Sequence, residues 1–208
     1  MSEISIRVNS RTLFGDLTTL PKSQGLVIFV HGSGSSRHSS RNQFVAKKLQ
    51  SRGFSTLLFD LLTLQEETID DRTSELRFNI TFLTERLLQV TDWVTERHQL
   101  PLGYFGASTG AAAALMAASL KKVEAIVSRG GRPDLAEKKA LSQVKAATLL
   151  IVGELDGEVI ELNKTAFDSL KCTKKMEIVP GATHLFEEPG KLEIVAKLAG
   201  DWFDQYLV

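Results

Sequence analysis

Short apolar runs alternate along the chain with longer segments in which apolar residues recur every three or four positions. The short runs predict strands, and they lie at 26–30, 54–59, 101–105, 123–127, 148–152 and 176–179. The recurring patterns predict helices at 39–53, 75–98, 111–120, 136–144, 159–170 and 192–207. Because strands alternate with helices, the connections are predicted to be crossovers, and the sheet to be mainly parallel and flanked by helices.

Two segments depart from this alternation. Residues 3–8 and 11–19 alternate polar and apolar side chains, which predicts an antiparallel hairpin at one edge of the sheet. The polar, acid-rich residues 65–74 precede the long helix at 75–98, and no regular element is predicted for them. No linker interrupts the pattern, so residues 1–208 are predicted to form one α/β domain.

Composition and charge exclude several classes of protein. The chain has 208 residues, of which 43% are hydrophobic, and its 25 Lys+Arg balance 25 Asp+Glu. This length suits one domain with a sizeable core, and the balanced charge predicts no nucleic-acid partner. The longest apolar runs, 26–30 and 111–118, are far below the ~20 residues of a spanning helix, so no membrane partner is predicted. Residues 1–15 lack a signal-peptide pattern and Cys172 is the only cysteine, which together predict a cytoplasmic protein.

A candidate nucleophile follows the strand at 101–105. Gly106-Ala-Ser-Thr-Gly110 lies between a predicted strand and a predicted helix and matches the pattern G-x-S-x-G. A tight turn there pushes the Ser108 side chain into the open, and glycines two residues to either side avoid collision with neighbouring backbone. The alternative is a glycine-rich turn in which Ser108 only caps the helix. The strand-to-helix position favours Ser108 as a nucleophile.

A serine hydroxyl needs a base to take its proton. The chain has four histidines, and His184 follows the last predicted strand, where the base falls in the order serine, acid, histidine. His31 ends an early strand and is expected to shape a turn, whereas His38 lies in a polar loop and His98 at a helix end. His184 is therefore the predicted base, with an ordinary surface-loop histidine as the alternative.

An acid is expected to orient that base. Asp156 follows the strand at 148–152 and precedes a helix, so it is the predicted orienting acid. A helix N-cap is the alternative role for Asp156, because aspartate serves well there. Glu154 is the nearest rival acid and Asp60 the next.

Two backbone amides are predicted to stabilise the developing oxyanion. One is the N–H of Thr109, directly after the nucleophile, and the other is the N–H of Ser33 in the loop His31-Gly-Ser-Gly34. That loop lacks the Gly-Lys-Ser/Thr of a P-loop and the third glycine of a dinucleotide fingerprint, so no cofactor is predicted. No two histidines lie three or four residues apart and cysteine occurs once, so no metal site is predicted.

Several stretches together resemble those of a known family. They are His31-Gly-Ser-Gly-Ser-Ser-Arg-His38, Asp60-Leu-Leu-Thr63, Gly106 to Gly110, Ser128-Arg-Gly-Gly-Arg-Pro-Asp134, Val152 to Asp156 and Pro180 to Glu188. With them, nearly the whole chain resembles an α/β-hydrolase of the small, lidless, dienelactone-hydrolase-like group. It is also similar to the hydrolase half of proteins that fuse such a domain to a phosphoribosyltransferase.

The resemblance implies an α/β-hydrolase fold with Ser108 as nucleophile, Asp156 as acid and His184 as base. True dienelactone hydrolases use a cysteine where this chain has Ser108, which argues against dienelactone itself as the substrate. Larger relatives insert a helical lid between the strands at 123–127 and 148–152. Only about twenty residues stand there in this chain, so the site is expected to be open.

Four arginines are candidates for binding a substrate carboxylate or phosphate, because the guanidinium fork suits such anions. They are Arg37, Arg41, Arg129 and Arg132. The alternative is that they form surface ion pairs with the acid-rich stretch at 66–75.

The leading hypothesis is a serine hydrolase that cleaves a small-molecule ester, thioester or lactone through an acyl-enzyme. Fold does not determine function, so a non-catalytic binding or regulatory module on a hydrolase fold is one alternative. An acyltransferase or perhydrolase that uses the same nucleophile with another acceptor is the other.

Overall fold

The computed structural model describes residues 2–207 as an eight-stranded sheet with helices on both faces. The strand order is β1-β2-β4-β3-β5-β6-β7-β8. The strands are β1 (Ser2–Val8), β2 (Arg11–Thr18), β3 (Leu26–Val30), β4 (Ser55–Phe59), β5 (Leu102–Ala107), β6 (Ala125–Arg129), β7 (Ala147–Gly153) and β8 (Lys174–Val179). The predicted edge hairpin is confirmed, since β1 and β2 pair antiparallel and β2 pairs antiparallel with β4. From β4 to β8 every pairing is parallel, as predicted.

The helices cover two separate halves of the core. They are α1 (Ser40–Gln50), α2 (Leu64–Thr73), α3 (Ile80–Thr95), α4 (Thr109–Leu120), α5 (Lys138–Gln143), α6 (Gly157–Ser169) and α7 (Lys191–Tyr206). Helices α1 and α7 pack on one face of the sheet, where they bury residues such as Leu49 and Phe203. Helices α3 and α4 pack on the other, with residues such as Leu87 and Ala114. Strands β3 and β5, between these layers, are buried along their whole length.

The stretch between β4 and α3 differs from the prediction. Residues 64–73 form helix α2, although they were expected to be irregular, and α3 begins at Ile80 rather than near residue 75. Helix α2 begins with a capping box, in which Thr63 Oγ1 accepts from Glu66 N and the Glu66 carboxylate accepts from Thr63 N. The Asp70 carboxylate accepts the N–H groups of Leu76 and Arg77, so the chain turns before α3 begins. Local capping therefore decides a segment whose apolar pattern is weak.

The end of β6 also differs from the prediction. The strand runs to Arg129, two residues beyond the predicted end, and Arg129 pairs with Ala107 of β5. The connection from β6 to β7 carries only a 3-10 turn at Pro133–Leu135 and the short helix α5. Within residues 2–207, no helix is both long and apolar enough to cross a bilayer.

Candidate active site

Ser108 lies at the turn between β5 and α4 with an unusual backbone conformation. Its φ is 49° and its ψ is −124°, a region that non-glycine residues seldom adopt and that costs about 1–3 kcal/mol. Its carbonyl oxygen accepts the N–H groups of Ala111 and Arg132, which hold the turn from both sides. Ser108 makes no side-chain cap bond to α4, which disfavours the helix-cap role for its hydroxyl.

The two glycines of the turn are required by close backbone contacts. A Cβ on Gly106 would lie 2.5 Å from Ala111 Cα. A Cβ on Gly110 would collide with the carbonyl oxygens of Val30 and His31, at the end of β3. These contacts lock the turn against the neighbouring strand and present Ser108 at the carboxyl edge of the sheet.

The loop after β8 brings His184 to Asp156, which follows β7. His184 Nδ1 and Asp156 Oδ2 are 2.6 Å apart, a short hydrogen bond in which the ring nitrogen donates to the carboxylate. The Asp156 side chain is 16% exposed and that of His184 36%, so the carboxylate is shielded while the ring stays accessible. Asp156 also stands at the N-cap position of α6 but makes no side-chain cap bond there.

The carboxyl end of β6 connects this pair to Ser108. The Ser108 N–H donates to Arg129 O, and Gly130 follows directly in the chain. A Cβ on Gly130 would lie 2.8 Å from His184 O and 3.6 Å from His184 Cε1. The segment Arg129–Gly130 therefore contacts both Ser108 and His184, so that these two residues and Asp156 lie at one edge of the sheet.

The two rival acids have other partners. Glu154 Oε2 accepts the N–H of Gly181. Asp60 accepts the N–H of Arg37 and forms an ion pair with its guanidinium. Asp156 is the acid that meets His184.

His31 shapes a turn, as expected. Its Nδ1 lies 2.9 Å from Gly32 O and its Nε2 accepts the N–H of Leu61 at 3.1 Å, so the neutral ring bridges the loops after β3 and β4. Burial lowers the pKa of His31 against smaller upward effects of the Gly32 carbonyl and Asp60.

The structure places the two predicted oxyanion donors together, but only one of them is free. The loop after β3 lies against Ser108, since a Cβ on Gly32 would be 2.9 Å from Ser108 Cβ. The Ser33 N–H donates to Thr109 Oγ1 at 2.9 Å. Among residues 2–207, by contrast, nothing accepts a hydrogen bond from the Thr109 N–H.

Two of the four candidate arginines each make more than one contact with carboxylate oxygens. Arg37 contacts Glu3, Asp16 and Asp60, and so ties the edge hairpin to the loop after β4. Arg132 donates from Nε and Nη2 to the two carboxylate oxygens of Asp134. None of these acids lies in the 66–75 stretch, which the alternative interpretation named as the partner.

The other two arginines lie beside one another near α1. Arg41 pairs with Glu187, and its buried Nε has no partner among the described residues. Arg129 is 5% exposed and donates to Asn42 Oδ1, and its Nε is likewise buried and unpaired within residues 2–207. Burial, together with the nearby charge of Arg41, lowers the pKa of Arg129 to about 10.

A cavity of about 400 Å³ adjoins the Ser33 loop. Its walls combine the loop after β3 with leucines 61, 62 and 83 and with the end of α2. Arg77 is a cavity residue that the sequence analysis missed: its Nε donates to Asp70, whose side chain is 1% exposed. No periodic signal marks Arg77, because its position depends on the turn that Asp70 makes with residues 76 and 77.

Metal-ligating side chains do not cluster in the described part of the chain. Among residues 2–207, no group of three or more His, Cys, Asp or Glu side chains is arranged to hold a metal ion.

Comparisons with known proteins show the family and the fold. A family model described as an alpha/beta hydrolase domain matches residues 23–197. The chain is similar to a dienelactone hydrolase from Anabaena variabilis, whose crystal structure superposes with a TM-score of 0.97. The two sequences are 52% identical, and the match covers 100% of this chain and 98% of that chain. Est1E from Butyrivibrio proteoclasticus shares the fold, with a TM-score of 0.82 and 15% identity over 99% of this chain and 98% of its own.

A curated relative is longer than this chain. A Mycobacterium tuberculosis protein that carries the name of a phosphoribosyl transferase is 52% identical over 210 residues. The match covers 99% of this chain but 46% of that protein, so the chain spans about half the length of this relative.

Proposed function

The chain belongs to the alpha/beta hydrolase family, and from this premise we propose that it is a serine hydrolase. Its substrate is a small ester, thioester or lactone, cleaved through an acyl-enzyme on Ser108. The observation that carries the proposal is the 2.6 Å contact of His184 Nδ1 with Asp156 Oδ2, at the same sheet edge as the strained Ser108 turn.

The reaction has two halves that use the same groups. Ser108 Oγ attacks the substrate carbonyl carbon while His184 Nε2 takes the hydroxyl proton, and Asp156 stabilises the resulting imidazolium. The tetrahedral intermediate collapses, the acyl–oxygen or acyl–sulfur bond breaks, and His184 returns the proton to the leaving group. Water then attacks the acyl-enzyme with His184 as base, which releases the acid and regenerates Ser108.

The Thr109 N–H supports this chemistry because it is a backbone donor at the start of α4. A negative charge that develops beside the first turn of a helix is also favoured by the helix dipole. This donor follows the nucleophile in the chain, so the turn that positions Ser108 positions the donor as well.

The cavity beside Ser33 is the proposed place for part of the substrate. Its size of about 400 Å³ suits a small molecule, and three leucines provide an apolar wall. The short connection between β6 and β7 leaves this edge of the sheet without an inserted lid. Both features favour small or protruding ester groups over long acyl chains.

An anionic substrate group remains part of the proposal, with Arg41 as its candidate partner. Arg37 and Arg129 are buried, and Arg132 donates to both carboxylate oxygens of Asp134. Arg41 pairs through one nitrogen with Glu187, whose side chain is 60% exposed. The Arg41 side chain is 30% exposed. A pair of esters matched in size, one neutral and one carrying a carboxylate, tests this point, and equal kcat/KM values for the two contradict anion binding.

The similarity to a dienelactone hydrolase supports this substrate class. The dienelactone hydrolase from Anabaena variabilis, at 52% identity over the full chain, favours lactones and esters as the substrate class. The transferase name concerns a protein of which this chain matches 46%, and it adds no substrate to the proposal.

Labelling with a fluorophosphonate tests the proposed nucleophile. We expect one adduct, on Ser108, and we expect Ser108→Ala to abolish both the adduct and most hydrolysis of a small aryl ester. Ser142 is exposed, and its hydroxyl donates to Lys139 O within α5. Ser142→Ala is therefore the control variant, and we expect its activity to be unchanged. Absence of an adduct would favour a non-catalytic binding module. Product analysis with competing alcohols or peroxide separates hydrolysis from acyl transfer.

A further inference from the structure

One hydrogen bond couples the loop after β3 to the residue that follows the nucleophile. The Ser33 N–H, predicted to meet the oxyanion directly, donates instead to Thr109 Oγ1 at 2.9 Å. Thr109 is 3% exposed and Ser33 is half-buried at the cavity, so the contact is partly shielded from water. The amide of Ser33 is therefore already satisfied by a hydroxyl beside the nucleophile.

The same hydroxyl has a proton that is not used. A threonine hydroxyl accepts and donates at once, and inside a helix it commonly donates to a carbonyl one turn earlier. Thr109 is the first residue of α4, so no helical turn precedes it. Among residues 2–207, Thr109 Oγ1 accepts from Ser33 and donates to no acceptor. A buried hydroxyl of this kind is a donor that lacks its partner.

We propose that the Thr109 hydroxyl is the second donor of the oxyanion hole, and that the Ser33 amide acts through it. This inference rests on the proposed function. The oxyanion accepts from both the N–H and the Oγ1–H of Thr109, and the Ser33 N–H polarises the hydroxyl by donating to its oxygen. Such a chain of hydrogen bonds strengthens each member, and no proton leaves the threonine.

The alternative is the direct arrangement, in which the Ser33 N–H leaves Thr109 and donates to the oxyanion itself. The two arrangements predict opposite effects when the hydroxyl is removed without loss of volume. In Thr109→Val the Ser33 amide has no internal acceptor and is free to reach the oxyanion. In the proposed arrangement, which we call the relay, the same variant removes the hydroxyl that donates to the oxyanion.

The experiment compares Thr109→Val, Thr109→Ala and Thr109→Ser on a small aryl ester. We expect kcat to fall about 10²-fold in the first two, with KM changed less than about threefold, and to stay within about fivefold of the parent in the third. The affinity of a trifluoromethyl ketone, which forms a tetrahedral adduct on serine, should fall in parallel with kcat. If kcat in Thr109→Val and Thr109→Ala is unchanged or higher, the relay is wrong.

Two controls separate this outcome from other failures. Thr148→Val removes a buried hydroxyl at the amino end of β7, away from the edge of the sheet that carries the site. This variant should leave kcat unchanged. If Thr109→Val does not fold, the Thr109→Ala value decides. If the parent protein takes no fluorophosphonate on Ser108, the proposed function itself fails, whereas a labelled parent with fully active Thr109 variants overturns only the relay.

Discussion

At the scale of single residues, the site depends on which acid reaches His184. Three acids were compatible with the sequence, and two of them have other partners in the structure: Glu154 accepts from Gly181, and Asp60 pairs with Arg37. Asp156 accepts from His184 Nδ1, which leaves Nε2 available for the proposed role as base. One contact thus selects both the acid and the tautomer.

Asp156→Asn tests that selection. An amide in this place reverses the hydrogen-bond demand on Nδ1, so the ring adopts the wrong tautomer and loses the stabilisation of its charged form. We expect kcat to fall by about 10⁴-fold with little change in the free energy of unfolding. Glu154→Gln is the matched control and should keep kcat within about threefold. A comparable loss in both variants would contradict the assignment, and steady-state kinetics with thermal unfolding of each variant decides.

At the scale of elements, the turn between β5 and α4 is the most constrained part of the site. Its geometry requires a strained Ser108 and two glycines in contact with backbone atoms of neighbouring elements. Such strain persists only where the surroundings hold it, and here β3 and the loop after β6 supply the contacts.

Gly110→Ala measures how tightly the elements pack at this turn. The added methyl group meets the carbonyl oxygens of Val30 and His31, so β3 and α4 must separate. We expect the free energy of unfolding to fall by at least about 2 kcal/mol, measured by urea titration. Gly157→Ala at the start of α6 is the matched control, because nothing lies within 4 Å of its added Cβ, and it should be up to about 1 kcal/mol more stable. Equal stability of the two variants would refute the packing argument.

Helix α2 shows the limit of periodicity at the same scale. Its apolar pattern is weak, and the expectation of irregular structure at 65–74 was wrong. A capping box at Thr63 and Glu66, and a buried Asp70 that closes the following turn, outweigh that pattern. For the same reason α3 begins at Ile80 and not near residue 75, where it was predicted to begin.

At the scale of the whole molecule, a buried neutral histidine links stability to pH. His31 is 8% exposed, and its Nε2 accepts from Leu61, so protonation would break a contact between two loops. Burial lowers its pKa below the ordinary value of 6.5. As pH falls below about 6.5, the unfolded chain binds a proton that the folded protein resists, and stability falls.

His31→Gln should flatten this dependence. We expect the variant to be less stable than the parent at pH 7.5, because the hydrogen bond from Leu61 N–H to His31 Nε2 is lost. Between pH 7.5 and 5.5, however, the variant should lose less stability than the parent. His98→Gln, which replaces a histidine outside this contact, is the matched control. Burial raises the pKa of Asp70, but its hydrogen bonds with Arg77 outweigh that effect and hold the pKa below its ordinary value of 3.8. Asp70 therefore does not titrate between pH 7.5 and 5.5. Unfolding midpoints that run parallel for parent and His31→Gln would refute the assignment.

The sequence by itself determined the alternation of strands and helices, the edge hairpin and the family, and the match over residues 23–197 confirms the resemblance. It also placed Ser108, Asp156 and His184 after the strands that carry them, because the carboxyl ends of parallel strands share one edge. These features follow from local patterns, since apolar periodicity and glycine spacing act over a few residues.

Only the tertiary structure decided which polar groups meet. It tied Arg37 and Arg132 to carboxylates, left Arg129 buried beside Arg41, and turned the Ser33 amide onto Thr109. The Ser33 and Thr109 partners are 76 positions apart along the chain. A hydrogen bond depends on a few tenths of an ångström and a limited angle, and these are set by how whole elements pack rather than by neighbours in sequence.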